Sequence, residues 1–149
     1  MRTAVFLGSF DPYTIGHHSI LTRALPLFDR IIVGVVGDNV NKPYLQPAEE
    51  RMKAIKQLYE GDERIDVKPY YGLAADFARD NGALYIIKGI RSAADLEHER
   101  SQADINRELT GVETLLLLAE PQLQSVSSSM VRELMHFGQD VSRFLPKKQ

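Results

Sequence analysis

A chain of 149 residues with 44% apolar and 26% charged side chains has the size and make-up of one ordinary globular domain, expected to span 1–149 around a core of its own. Its formal charge of −2 excludes the broad basic surface that counterion-release binding to nucleic acid requires, so an anionic ligand must be held by a local cluster. The absence of cysteine excludes disulfides, a thiol nucleophile and thiolate metal sites.

The chain opens on Thr3-Ala4-Val5-Phe6-Leu7, an apolar run of strand length that meets Asp11 and Pro12 too early for a secretory leader. The longest other runs, IIVGVVG and LLLLA, are too short to span a bilayer. No membrane partner is expected, and the expected compartment is the cytoplasm.

The first strand is left through GSFDPYTIGH. Gly8 is expected to let the backbone turn sharply, Pro12 to stiffen the return and Gly16 to allow close helix-to-sheet packing. A helix should then run from about Gly16 past Ile20, Leu21, Ala24 and Phe28, with Pro26 kinking or ending it. Its free N–H groups and partial positive charge suit a phosphate. His17 at its start, neutral or cationic near an intrinsic pKa of about 6.5, can donate a hydrogen bond to that phosphate. His18 points about 100° away.

A second strand, Ile31-Ile32-Val33-Gly34-Val35-Val36, leads to Asn39-Val40-Asn41-Lys42-Pro43, which places Lys42 at the same sheet edge, although Lys42 alone fits a solvated surface charge equally well. Arg51, Met52, Ile55, Leu58 and Tyr59 recur at helical spacing between Pro47 and Gly61. Arg64-Ile65-Asp66-Val67-Lys68-Pro69 alternates, and its proline removes a ladder donor, which assigns this third strand to an edge. Leu73, Ala74, Phe77 and Ala78 mark the next helix.

The fourth strand, Leu84-Tyr85-Ile86-Ile87, should end in Lys88-Gly89-Ile90-Arg91, two cations flanking a glycine. With Lys42 they would make a focused anion site in a slightly acidic chain. Asp95, Glu99, Gln102 and Asn106 follow as a polar helical stripe, a pattern that by itself favours water. Leu115-Leu116-Leu117-Leu118 reads as a strand covered on both faces. Ser125-Val126-Ser127-Ser128-Ser129-Met130-Val131-Arg132 enters a last helix, where one serine is a cap and the others offer donors to an anion.

Strand and helix alternate about five times, which predicts an α/β fold: a single-domain, doubly wound, Rossmann-like five-stranded parallel sheet with helices on both faces. Ligands bind such sheets at the carboxyl ends of the strands. Neither a P-loop nor a dinucleotide fingerprint is present, so phosphates must be held some other way.

GSFDPYTIGH, the KGIR segment, ADLEHE with ADINREL, VSSSMVRE and DVSRFLP, in that order, resemble the bacterial phosphopantetheine adenylyltransferase family, nucleotidylyltransferases with a T/H-x-G-H motif after the first strand. The resemblance spans essentially the whole chain. It implies transfer of AMP from ATP to 4′-phosphopantetheine with Mg²⁺, giving dephospho-coenzyme A and pyrophosphate in coenzyme A synthesis, by a homohexamer. Motif by motif, it implies that His17 and Ser9 contact the transferring phosphoryl group and that Lys42 and Lys88 hold the phosphopantetheine phosphate. Leu73 and Ala74 would border the pantetheine arm. Phe10, Gly89, Arg91, Glu99, Leu123, Gln124, Ser125, Val126, Ser127, Ser128 and Ser129 would join Ser9 and His17 in the ATP site. The resemblance assigns no Mg²⁺ ligand.

Three positions depart from the family pattern: Ser9 for a common threonine, Ile15 for a frequent asparagine, and Lys88 for a usual arginine, which replaces a two-pronged phosphate contact with a point charge. Other readings fit less well. A glycerol-phosphate cytidylyltransferase would carry an Arg-Thr-x-Gly lead to the serines, where this chain has Gln122-Leu123-Gln124-Ser125. A noncatalytic nucleotide-binding module of the universal-stress type would place a glycine-rich turn late in the chain, yet residues 112–137 contain no glycine. A phosphoacceptor domain would need paired acids after the first strand, where Asp11 stands alone.

Overall fold

The computed structural model describes residues 1–38 and 43–148. Its five strands, β1 (Thr3–Gly8), β2 (Arg30–Val36), β3 (Ile65–Tyr70), β4 (Tyr85–Ile90) and β5 (Glu113–Leu118), form one sheet in the order β3-β2-β1-β4-β5, and every neighbouring pair is parallel. The helices are α1 (Ile15–Ala24), α2 (Ala48–Leu58), α3 (Ala74–Asp80), α4 (Ala93–Thr110) and α5 (Ser128–His136), with 3₁₀ turns at Leu25–Leu27, Pro121–Leu123 and Ser142–Phe144.

The continuous apolar character of β1 and β2 follows from burial on two faces. Ala4 and Phe6 of β1 pack with Ile20, Leu21 and Ala24 of α1 and Ile55 of α2. Their neighbours Val5 and Leu7 point the other way, into a second cluster with Ala75 and Ala78 of α3. The sheet is therefore doubly wound, as expected, and the chain reverses direction of travel across it between β1 and β4. Such a reversal opens a crevice beyond the carboxyl ends of the two central strands.

Several boundaries differ from the expectations. Pro26 does stop α1, which ends at Ala24, so Phe28 lies beyond it in extended backbone while still entering the core. β4 runs on through Ile90, which puts Lys88 and Gly89 inside the strand rather than in the loop after it. Pro69 does sit on an edge strand, β3. β5 is the opposite edge, with Leu118 71% exposed; among the described residues nothing covers Leu118, and Leu116 is only partly covered.

The close helix-to-sheet approach assigned to Gly16 occurs at Gly89 instead. A Cβ at Gly89 would come within 2.9 Å of Ile20 Cγ1, whereas one at Gly16 would meet nothing nearer than 3.4 Å. Gly89 thus lets α1 settle directly on β4.

Candidate active site

The turn after β1 is built by residues far apart in sequence. Phe10, not Gly8, takes the left-handed backbone conformation, with φ 49°, and the Asp11–Pro12 peptide is cis. The Phe10 ring folds back under Gly8, where a Cβ would lie 3.1 Å from it. The buried Asp11 carboxylate accepts from the N–H groups of Leu45 and Gln46. Arg132 of α5 donates to the Asp11 carbonyl and the Ser128 hydroxyl to the Pro12 carbonyl, both at 2.7 Å. Arg51 of α2, 1% exposed, donates to the carbonyls of Ser9, Val36 and Gln46 and to the Asp38 carboxylate. One guanidinium thereby ties the ends of β1 and β2 to the start of α2, satisfying carbonyls that the turn would otherwise leave bare.

This turn delivers Thr14 to the start of α1, where it makes a capping box with an unusual partner. The Thr14 hydroxyl accepts from the His17 N–H, and the Thr14 N–H donates to His17 Nδ1 at 2.9 Å. Because Nδ1 is an acceptor, the neutral ring carries its proton on Nε2. Tyr13 stacks on the ring at 5.3 Å and 23°, and Phe10 meets it edge-on at 5.0 Å. Burial first, and then the positive Arg91, lower the His17 pKa to about 4. The expectation of a ring titrating near its intrinsic value is corrected: His17 is a neutral donor at pH 7.

Below His17 lies a cavity of about 320 Å³ at the carboxyl ends of β1 and β4. It brings together Phe10, His17, Lys88, Gly89, Arg91, Glu99, Leu123, Val126, Ser127, Ser128 and Ser129. Ser9, Leu73, Ala74, Gln124 and Ser125 do not line it; Leu73, at the start of α3, and Gln124 and Ser125 are exposed. Lys42 lies outside the described residues. Thr14, Gly16, Ser19, Asp95, Ala119 and Glu120 also line the cavity and were not assigned to a binding site from sequence. Thr14 is the first letter of the T-x-G-H motif and Asp95 the first of the polar stripe, so both left a signal; Glu120, just past β5, left none.

The cations are not free. Lys88 Nζ lies 3.4 Å from a buried Glu99 oxygen that makes no hydrogen bond, and Arg91 Nε lies 3.6 Å from Asp95, which also accepts from the Arg91 N–H at 3.0 Å. Glu120 accepts from the Ser19 hydroxyl. Three carboxylates thus share the cavity with two cations, and the α4 stripe, expected to face water, supplies two of the acids. Backbone adds positive potential: the first turns of α1, α4 and α5 all reach the cavity wall, each worth about half a charge, with Asp95 offsetting that of α4. The serine run divides its labour, since Ser127 caps α5 by accepting from the Met130 N–H while Ser128 braces the turn after β1. A neutral N–H donor, exposed helix starts and two cations held by displaceable carboxylates can bind a polyphosphate and orient its reacting phosphorus.

The cytidylyltransferase-like family matches residues 5–134. Phosphopantetheine adenylyltransferases from Phocaeicola vulgatus and Bacteroides fragilis are 49% and 47% identical over 147 residues, in each case 99% of this chain and 97% of the relative. That of Porphyromonas gingivalis is 47% identical over 144 residues, 97% of this chain and 94% of the relative. Among solved structures, a bifunctional NMN adenylyltransferase/ADP ribose pyrophosphatase from Francisella tularensis shares the fold with a TM-score of 0.73 at 15% identity, over 99% of this chain and 46% of that one.

Proposed function

The chain belongs to the cytidylyltransferase-like family, with phosphopantetheine adenylyltransferases as relatives up to 49% identical, and from that premise we propose that it transfers AMP from ATP to 4′-phosphopantetheine. The products are dephospho-coenzyme A and pyrophosphate. An oxygen of the acceptor phosphate forms a bond to the α-phosphorus, and the bond to the β-phosphate oxygen breaks, its electron pair leaving with pyrophosphate. The attacking group is already an anion, so no proton has to be removed.

The observation that carries this reading is the neutral His17, whose Nδ1 is occupied by the Thr14 N–H. A ring held this way is unsuited to accept a proton and suited to donate Nε2–H to an α-phosphate oxygen as charge builds there. One such donor contributes roughly 2.7–4 kcal/mol, while alignment of the two substrates contributes on the order of 7–11 kcal/mol. Positioning therefore dominates, and Arg51, which braces the turn, serves catalysis through geometry.

Lys88 and Arg91 exchange their carboxylate partners for phosphates on binding. Lys88, with Lys42, takes the acceptor phosphate; Ser9 adds a hydroxyl near the transferring group, and Leu73 and Ala74 border the pantetheine arm. Among the described residues no cluster of three metal-ligating side chains occurs. That fits a Mg²⁺ ion arriving on the triphosphate, held by its oxygens and at most one or two carboxylates. Asp95, Glu99 and Glu120 are the carboxylates of this cavity, and the ion would neutralise charge on the leaving pyrophosphate.

The assembly is a homohexamer in this reading, supported by leucines and an isoleucine that this chain leaves uncovered: Leu96, Ile105 and Leu109 on α4 and Leu116 and Leu118 on β5. The compartment is the cytoplasm; among the described residues no helix is long and apolar enough to cross a membrane.

The test is pyrophosphate release. ATP with 4′-phosphopantetheine should support rapid release, and CTP with glycerol phosphate should not. Release with the second pair alone, or ATP binding with no release, would overturn the proposal.

A further inference from the structure

One face of the His17 ring rests on Tyr13, and Tyr13 is held by a bond as well as by its packing. A second cavity of about 410 Å³ borders Tyr13, with Phe10, Leu58, Leu145 and Pro146 among its lining. The Tyr13 ring is buried and packs edge to face with Phe10 at 5.3 Å, but the cavity leaves part of it without close neighbours. Its hydroxyl is also held, at 2.7 Å, by that of Tyr59 at the end of α2.

Tyr59 makes a second bond, at 2.8 Å, to Nδ1 of His18, whose ring stacks on it at 5.7 Å and 13°. A phenol has one proton to donate and lone pairs to accept with, so Tyr59 completes the chain Tyr13–Tyr59–His18 with every member satisfied. The two residues it grips, Tyr13 and His18, flank the segment that ends in His17. Tyr13 and Tyr59 meet ring edge to face at 90°, so sliding one would break the hydroxyl contact.

We infer that Tyr59 is a positioning residue of the active site: by clamping Tyr13 and His18 together it fixes the plane of the His17 ring and the direction of its Nε2–H. This rests on the donor role of His17 in the proposed transfer. None of the three clamp residues lines the cavity below His17; Tyr59 acts through Tyr13, and Tyr13 through its stack on His17.

The experiment is a double-mutant cycle on single-turnover rates and KM values, using Tyr59→Phe, Tyr13→Phe and both together, in the native chain and in a His17→Ala background. In the native chain either substitution should lower kcat about 3- to 10-fold, the rate equivalent of one neutral hydrogen bond, with both KM values within about twofold. The pair together should do no worse than either alone, and His18→Gln, which keeps an acceptor, should restore most of the rate relative to His18→Ala. In the His17→Ala background Tyr59→Phe should have no further effect. A native-chain kcat unchanged by both hydroxyl deletions overturns the inference, as does an equal loss with and without His17, which would mark a purely structural role. If His17→Ala leaves turnover intact, the donor role itself fails and the inference falls with it, a result recognisable before any tyrosine is changed.

Discussion

His17 owes its protonation state to groups that its sequence neighbourhood does not display. The motif marks the residue, and the helix start explains why a phosphate would sit near it. The lowered pKa comes from Phe10 and Tyr13 closing over the ring and from Arg91, brought in from β4's far end. Solvent values therefore misjudge it. Nitrogen-detected NMR of the imidazole should show no titration of His17 between pH 5.5 and 8; a midpoint near 6.5 would contradict the enclosed, Nδ1-accepting ring. Replacing His17 by alanine should lower turnover about 10²–10³-fold with the fold retained, as judged by circular dichroism and steady-state rates, and near-normal turnover would remove the assigned role. At Lys88, which holds Glu99 at 3.4 Å, arginine should bind the acceptor phosphate more tightly because two parallel donors replace one. Isothermal titration with phosphopantetheine measures this directly, and an unchanged or weaker affinity would show that the lysine is not a compromise.

At the level of elements, sequence pattern located the five strands and five α-helices of the described residues but not the 3₁₀ turns, while their ends were decided by contacts. β4 extends through Lys88 and Gly89 because those residues pair with Leu116 and Leu117 of β5, a partner that local pattern cannot supply. Gly89 was legible as a special position, but its reason, Ile20 of α1 at 2.9 Å from a hypothetical Cβ, was not. Gly89→Ala should push α1 off the sheet and carry His17 with it, costing about 1–3 kcal/mol of stability and a larger share of turnover, and Ile20→Ala should restore part of both. Arg51 looked like one more member of an amphipathic helix. It is instead the bond between three chain segments, because its guanidinium is buried against three carbonyls and Asp38. Arg51→Met strands those carbonyls and should cost about 3–5 kcal/mol in urea unfolding; a loss under about 1 kcal/mol would mean that water replaces the guanidinium easily.

For the whole molecule, the doubly wound sheet could be read from alternation alone, because strands buried on two faces must be apolar throughout. The same rule overstated the cover of β5: Leu115 and Leu117 pack against the core, while Leu116 and Leu118 are exposed; cover from other copies would reconcile pattern and exposure. The neutral His17 also couples to global stability. Its folded-state pKa, about 4, lies below the unfolded value of about 6.5, so between those values the unfolded chain binds more protons. The stabilisation from keeping the ring neutral is complete above about pH 6.5 and is lost as pH falls toward 4. Unfolding free energies of the native chain and His17→Asn should therefore converge over that interval, and parallel curves would deny the linkage.

In the proposed transfer, nucleotide and acceptor meet at the crevice between β1 and β4, where alignment and helix starts replace proton transfer. A crystal structure with bound ATP tests this most directly. The expected result is an α-phosphate oxygen within about 3 Å of His17 Nε2, with Arg91 turned from Asp95 onto the polyphosphate. A triphosphate lodged elsewhere, leaving His17 without a ligand contact and both ion pairs of α4 intact, would contradict it.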